Sequence, residues 1–164
     1  MENKFLFFII NVLVIAIPIA FLEIITEKDK GWGAGHPKDK WYGKIIGEKN
    51  PLMQFLAKSV GVPYFFGYGV LMYFVLVPAL LVTEYFFMMQ NAPLLIAVYF
   101  SAVALEDFLW FVFNWYFDSL RQLLKGPSGN IWWHKRWIKI GRQTYLPASY
   151  LTAVILTAVF YFLS

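Results

Sequence analysis

Two adjacent carboxylates, Glu106 and Asp107, lie within a long apolar run and are the residues best suited to do chemistry. An acidic side chain at the centre of a membrane helix costs about 2.5–3.5 kcal/mol on insertion scales, so such residues are functional by default. Each is a candidate acid, base or cation ligand. Neighbours on a helix point about 100° apart, so the two would address different partners. Asp107, Asn114 and Asp118 follow at seven and four residues, which puts them on one helical face, with Arg121 one turn further. Glu23 closes another apolar run and is a candidate to orient the same ligand, together with Asn114 and Asp118. Glu84 is expected nearer the opposite end, apart from this group.

Both histidines fall in basic stretches. His134, in Ile131-Trp132-Trp133-His134-Lys135-Arg136-Trp137, is a candidate proton donor or acceptor because imidazole titrates near neutrality. His36 follows the alternating glycines of Gly31-Trp32-Gly33-Ala34-Gly35. Such glycines free the backbone to present N–H groups to an anion, and Lys38 and Arg136 add charge for an anionic headgroup. A simple glycine-rich turn and an ordinary hydrogen-bonded histidine remain alternatives. The spacing is not that of a P-loop, which needs Gly-Lys-Ser/Thr opening a helix.

Absent residues exclude whole chemistries. The chain has no cysteine, which removes disulfides, thiolate zinc sites, iron–sulfur clusters, haem attachment through cysteine and thiol nucleophiles. No haem is expected, and two histidines cannot build a multi-histidine iron cage. A metal would be a hard divalent cation on oxygen ligands, with Glu106 and Asp107 the first choice. The net charge of +4 could on its own suggest a nucleic-acid partner. In so apolar a chain it belongs at an anionic lipid surface, so membrane lipids are the expected partners and nucleic acid is not.

The surrounding elements must therefore be membrane helices. Of 164 residues, 60% are hydrophobic and 15% charged, against roughly 25% charged in soluble domains. The reading is an all-α integral membrane protein, one polytopic domain, with four transmembrane helices near 5–26, 64–89, 94–117 and 146–163. Each stretch approaches the roughly 20 helical residues that a bilayer core requires. Pro63, Pro93 and Pro147 stand at span starts, where a missing N–H costs little. Pro18 and Pro78 lie inside spans and should distort them. The first span lacks a small-residue cleavage site and is read as a retained helix.

Thirteen of the fourteen Lys and Arg residues fall in the loops 27–63 and 118–145, leaving Lys4 alone. The positive-inside rule makes both loops cytoplasmic and both termini external. All seven tryptophans lie in these loops or in the adjoining half of the third span. Short interfacial helices are expected at 51–61, where Gly61 supplies a stop, and at 130–142, from the spacing of Trp133, Trp137 and Ile140. A loose similarity links Lys30-Gly31 and Lys40-Trp41 to Lys125-Gly126 and Arg136-Trp137, as though a span, a basic loop and a span occurred twice.

The run Glu106-Asp107-Phe108-Leu109-Trp110-Phe111 resembles the acidic helix of small membrane lycopene cyclases, in which carboxylates handle protons on an isoprenoid. The likeness covers six residues, has Leu105 where a proline usually stands, and carries no residue roles across. The leading functional expectation is a membrane-embedded enzyme acting on a lipid or isoprenoid at the cytoplasmic interface. The alternatives are a small proton or cation transporter or channel, for which a homo-oligomer is expected, and an accessory subunit of a larger membrane complex.

Overall fold

The computed structural model describes residues 3–89, 91–116 and 118–164, apart from the side chains of Val60, Met88 and Met89. In chain order the elements are α1 (Lys4–Glu27), β1 (Ile45–Ile46), α2 (Pro51–Val60), β2 (Phe65–Phe66), α3 (Gly67–Phe87), α4 (Ala92–Phe113), α5 (Ser119–Leu124), β3 (Trp137–Lys139), β4 (Tyr145–Pro147) and α6 (Ala148–Leu163). The chain is mostly helical. Helices α1, α3 and α4 are each long and apolar enough to cross a membrane. The apolar α6 has 16 residues, fewer than a full crossing usually takes.

Helix α4 is the centre of the bundle, with α1 and α6 packed along it. Val77 and Leu81 of α3 join Val12 and Ile15 of α1 and Leu95, Val98 and Ala102 of α4 in one buried cluster. Ala16, Ala20, Ala97 and Ala102 are fully buried. Small residues let helix backbones approach closely where apolar burial against lipid supplies no driving force. The outward faces are apolar too, with Phe5, Leu6, Val14 and Ile25 exposed on α1, and among the described residues of α6 none is buried. At the far end of α6 the Lys4 ammonium donates to the Tyr161 carbonyl at 2.8 Å, and the Asn91 amide donates to that of Ser164 at 3.4 Å. Helix α6 therefore ends level with the starts of α1 and α4.

Pro78 reshapes α3. Residues Met72–Leu76 form a π-helical turn in which the Val77 amide donates to the Met72 carbonyl instead of that of Tyr73. In the same register the Tyr73 carbonyl would accept from residue 78, which as proline has no N–H. The Tyr99 hydroxyl of α4 supplies the missing donor at 2.9 Å. Tyr73 is thus fixed against α4 by its own backbone.

The two basic loops fold into a single cap at one end of the bundle. The Trp132 indole donates to the Lys30 carbonyl, the Lys135 amide to Gly61, and the Asn114 side chain to Lys28. Each loop ends in an antiparallel strand pair that feeds the next helix, β1 with β2 before α3 and β3 with β4 before α6. The helix at α2 is held by the Asn50 side chain, which accepts from the Leu52 and Met53 amides, and by left-handed Gly61. The helix expected over 130–142 is not formed. Trp137, Ile138 and Lys139 instead pair with Pro147, Leu146 and Tyr145, because the antiparallel return beside α6 satisfies their backbone. The third span also ends earlier than its apolar run, at Phe113, where the Asn114 carboxamide oxygen accepts from the Tyr116 amide and turns the chain.

Trp133 is the keystone of the cap, stacked on Phe111 at 5.8 Å and edge-on to Trp110 at 5.5 Å. Gly31, at φ +57°, passes beneath it, and a Cβ there would lie 2.4 Å from the Trp133 ring. Gly61, at φ +79°, has open space around its missing side chain. Gly61→Ala should cost about 1–2 kcal/mol for its left-handed backbone alone. Gly31→Ala adds an overpacking penalty of about 1–3 kcal/mol. Thermal unfolding of the two variants in detergent should therefore place Gly31→Ala clearly below Gly61→Ala.

Candidate functional site

Beneath the cap, four helices bring their loop-side ends together. Glu23 and Glu27 lie one turn apart on α1, Tyr73 sits in the π-helical turn of α3, Glu106 and Asp107 lie on α4, and Tyr150 is in the first turn of α6. They border a cavity of about 330 Å³ between α3, α4 and α6. Phe74, Phe100, Val103, Ala153 and Leu156 make its walls apolar, and α2, Trp32 and Trp133 border it at the cap. A mainly apolar cavity with a few convergent polar groups is the usual form of a small-molecule site.

The polar groups fall into two connected sets. In the first, the Tyr73 hydroxyl lies 2.8 Å from Glu23 Oε1 and 2.7 Å from Glu106 Oε2. A phenol has one proton, so it can donate to only one of these carboxyl groups. Both contacts are hydrogen bonds when the other carboxyl is protonated and donates to the phenol oxygen. All three residues are buried. Burying an ionised carboxylate without compensation is expensive, so a shared proton is the economical filling of this site.

In the second set, the Tyr150 hydroxyl donates to Asp107 Oδ2 at 2.5 Å, and His134 Nε2 stands 3.2 Å from the same oxygen. His134 is buried, held between Trp133 and Trp137 in the cap. Glu106 and Asp107 thus turn to different partners, as the angle between neighbouring helical residues requires. Among the described residues, no group of three or more His, Asp and Glu side chains has metal-holding geometry.

The polar stripe expected from Asp107 through Asn114 to Asp118 and Arg121 does not exist. It presumes a helix continuing past residue 113, whereas α4 stops at Phe113. Asn114 caps the turn and binds the Lys28 carbonyl, and Asp118 is exposed with Arg121 3.7 Å away. Lys38 and Arg136 are exposed and outside the lining of the cavity. The glycine-rich loop does present a backbone N–H to an acceptor, but that acceptor is the chain's own Glu27, whose Oε1 accepts from the Gly33 amide at 2.6 Å. His36 Nε2 stands 3.9 Å from the same oxygen. Glu84 lies towards the other end of α3, away from the cluster.

Three residues of the site escape the sequence reading: Glu27, Tyr73 and Tyr150. Glu27 follows Glu23 by four residues, a helical spacing that signals a shared face if the first helix is extended by one residue. For Tyr73 the only signal is Pro78 five residues later, the π-register interval. Tyr150 is an ordinary interfacial tyrosine by sequence. No protein-family model matches the chain, and neither does any curated protein or solved structure.

His36 adds a pH dependence from the cap. Glu27 of α1, Tyr68 of α3 and Tyr42 of its own loop face it, and burial holds its pKa below the ordinary 6.5. The unfolded chain then binds the proton more tightly than the folded one. The resulting penalty is absent above about pH 6.5 and grows as pH falls towards the lowered value. Melting temperature in detergent should accordingly fall between pH 7 and 5.5, and His36→Gln should flatten that slope.

Proposed function

We propose that the protein is a four-span membrane enzyme that moves protons on an apolar lipid or isoprenoid ligand. The observation that carries this reading is the cavity itself, with apolar walls of the kind a hydrocarbon chain fills and, on its border, a phenol-bridged carboxyl pair and a second carboxyl bonded to a phenol. Asp107, oriented by the Tyr150 hydroxyl and close to His134, is a base or acid able to exchange its proton with the cap. Glu106, coupled through Tyr73 to Glu23, is the second proton-carrying group. Paired groups of this kind can give a proton to one carbon of an alkene and remove one from another. That makes isomerisation or cyclisation the reaction class the arrangement suits.

Support for a fourth span comes from the reach of α6. Its 16 residues extend about 24 Å at 1.5 Å each, and its end is tied to Lys4 and Asn91 at the starts of α1 and α4. The cap carries nearly all the positive charge, so in this reading it faces the cytoplasm and both termini lie outside. Amphipathic α2 would then rest in the interface, with Leu52 and Phe55 exposed towards lipid. Lys38 and Arg136, on the cap surface, would serve in drawing anionic lipid rather than in the reaction.

The transporter reading is weaker. Beyond the cluster the interior between α1, α3 and α4 is filled by Val12, Ile15, Val77, Leu81, Leu95 and Val98. A proton or cation would have to traverse that packed apolar layer.

The test uses the full chain reconstituted in vesicles of total membrane-lipid extract in heavy water, with lipid mass spectrometry as the readout. Wild-type protein should convert one lipid class, with deuterium incorporated. Glu106→Gln and Asp107→Asn should each lower the rate by about 10²–10⁴, the usual contribution of general acid–base catalysis, while keeping the wild-type melting curve. Unchanged turnover in both variants, or no lipid altered by the wild type, would overturn the assignment.

A further inference from the structure

The cluster of Glu27, His36 and Tyr68 lies outside the cavity chemistry described above. Glu27 is 1% exposed, yet its Oε2 has no hydrogen-bond partner, and the same holds for the Tyr68 hydroxyl. Buried polar atoms are normally satisfied, and a pair of orphans beside a void points to a water position. Such a void is present. It has a volume of about 10 Å³, about what one water needs, and is bordered by Glu23, Glu27, Tyr68 and Tyr73.

The void therefore joins two carboxylates one turn apart on α1, of which Glu23 already touches Tyr73. On its other side Glu27 leads outward: His36 Nε2 stands 3.9 Å from Glu27 Oε1, and the His36 ring lies 4.6 Å from that of Tyr68. Beyond His36 come Pro37 and Lys38, both exposed. The second half of the chain repeats the theme with Asp107, His134 and Tyr150. Each half has a carboxylate on its first helix, a histidine from its loop and a tyrosine at the start of its second helix. All three residues of the second set border the large cavity, whereas of the first set only Glu27 does, and Glu27 and Tyr68 also border space for a single water.

We propose that Glu27, His36 and Tyr68 form a proton inlet to the candidate site, with a water held between Glu27, Tyr68 and Glu23. A proton from solvent passes by His36 to Glu27, then through the water to Glu23. Glu23 gives a proton to the Tyr73 oxygen as Tyr73 gives its own phenolic proton to Glu106. One proton has then entered, and every group behind Glu106 is restored. Glu27, at the border of the cavity, acts here as a relay residue. The proposal rests on the reading of Glu106 as a proton-carrying group, but its test needs no substrate.

The experiment transfers the full-length protein, in detergent, from water into heavy water and follows the infrared carbonyl band of its carboxylic acid. The band is assigned by its loss in Glu23→Gln or Glu106→Gln. The wild type should exchange this proton quickly. Glu27→Gln should slow exchange about tenfold or more, and Tyr68→Phe, which removes only a hydroxyl, should slow it in the same direction. His134→Gln should leave the rate unchanged. Wild-type exchange in both Glu27→Gln and Tyr68→Phe would overturn the inlet, as would slowing by His134→Gln alone, which would place the entry at Asp107. Absence of any carboxylic-acid band in the wild type would overturn it as well. Loss of the lipid conversion with exchange intact would refute the enzyme reading and leave the inlet standing.

Discussion

One phenolic oxygen fixes the geometry of the interior. Tyr73 reaches Glu23 on α1 and Glu106 on α4 from a third helix, so three separate elements meet at a single hydroxyl. Both carboxyl groups are buried, and each loses its phenol partner if the helices move apart. Polar contacts between membrane helices contribute only about 1 kcal/mol each in measured cases, so the trio is better understood as setting register than as supplying bulk stability. Its position depends on an unusual backbone. The π-helical turn before Pro78 leaves the Tyr73 carbonyl to the Tyr99 hydroxyl, which locks the same residue from behind.

The cap completes what the helices begin. Tryptophan rings fill the space over α4, and the Trp132 indole N–H closes the gap between loops that are far apart in sequence. His134 comes to Asp107 because Trp133 and Trp137 hold the segment on either side of it, not because any helix carries it there. A rigid aromatic lid over buried carboxyl groups also limits the access of bulk water. That is the condition under which hydrogen bonds to charged groups are strongest.

Much of this was legible in the chain, and the illegible parts share a cause. The apolar runs give three helices directly, because length and hydropathy alone decide whether a helix can cross a bilayer. Glu23, Glu106 and Asp107 stand out for the cost of placing them where they are. The helix stop at Phe113 was hidden, since apolar residues continue to Tyr116, and with it went the expected stripe to Asp118. Periodicity likewise misleads over 130–142, where Trp133, Trp137 and Ile140 have helical spacing but two of them join a strand and its turn. Tertiary hydrogen bonding overrides local pattern in both places, and one sequence read alone contains no record of its long-range partners.

Helices α3 and α6 both lie against α4 and contribute to the lining of the cavity. If the bundle stands in a bilayer and the cavity opens between these two helices, its mouth faces acyl chains sideways. A hydrocarbon ligand would then arrive by two-dimensional diffusion without shedding or regaining a hydration shell. Its occupancy would follow its mole fraction in the surrounding lipid, and aqueous solubility would cease to limit it. Saturation would then be a property of membrane composition, to be expressed per lipid molecule and not per litre.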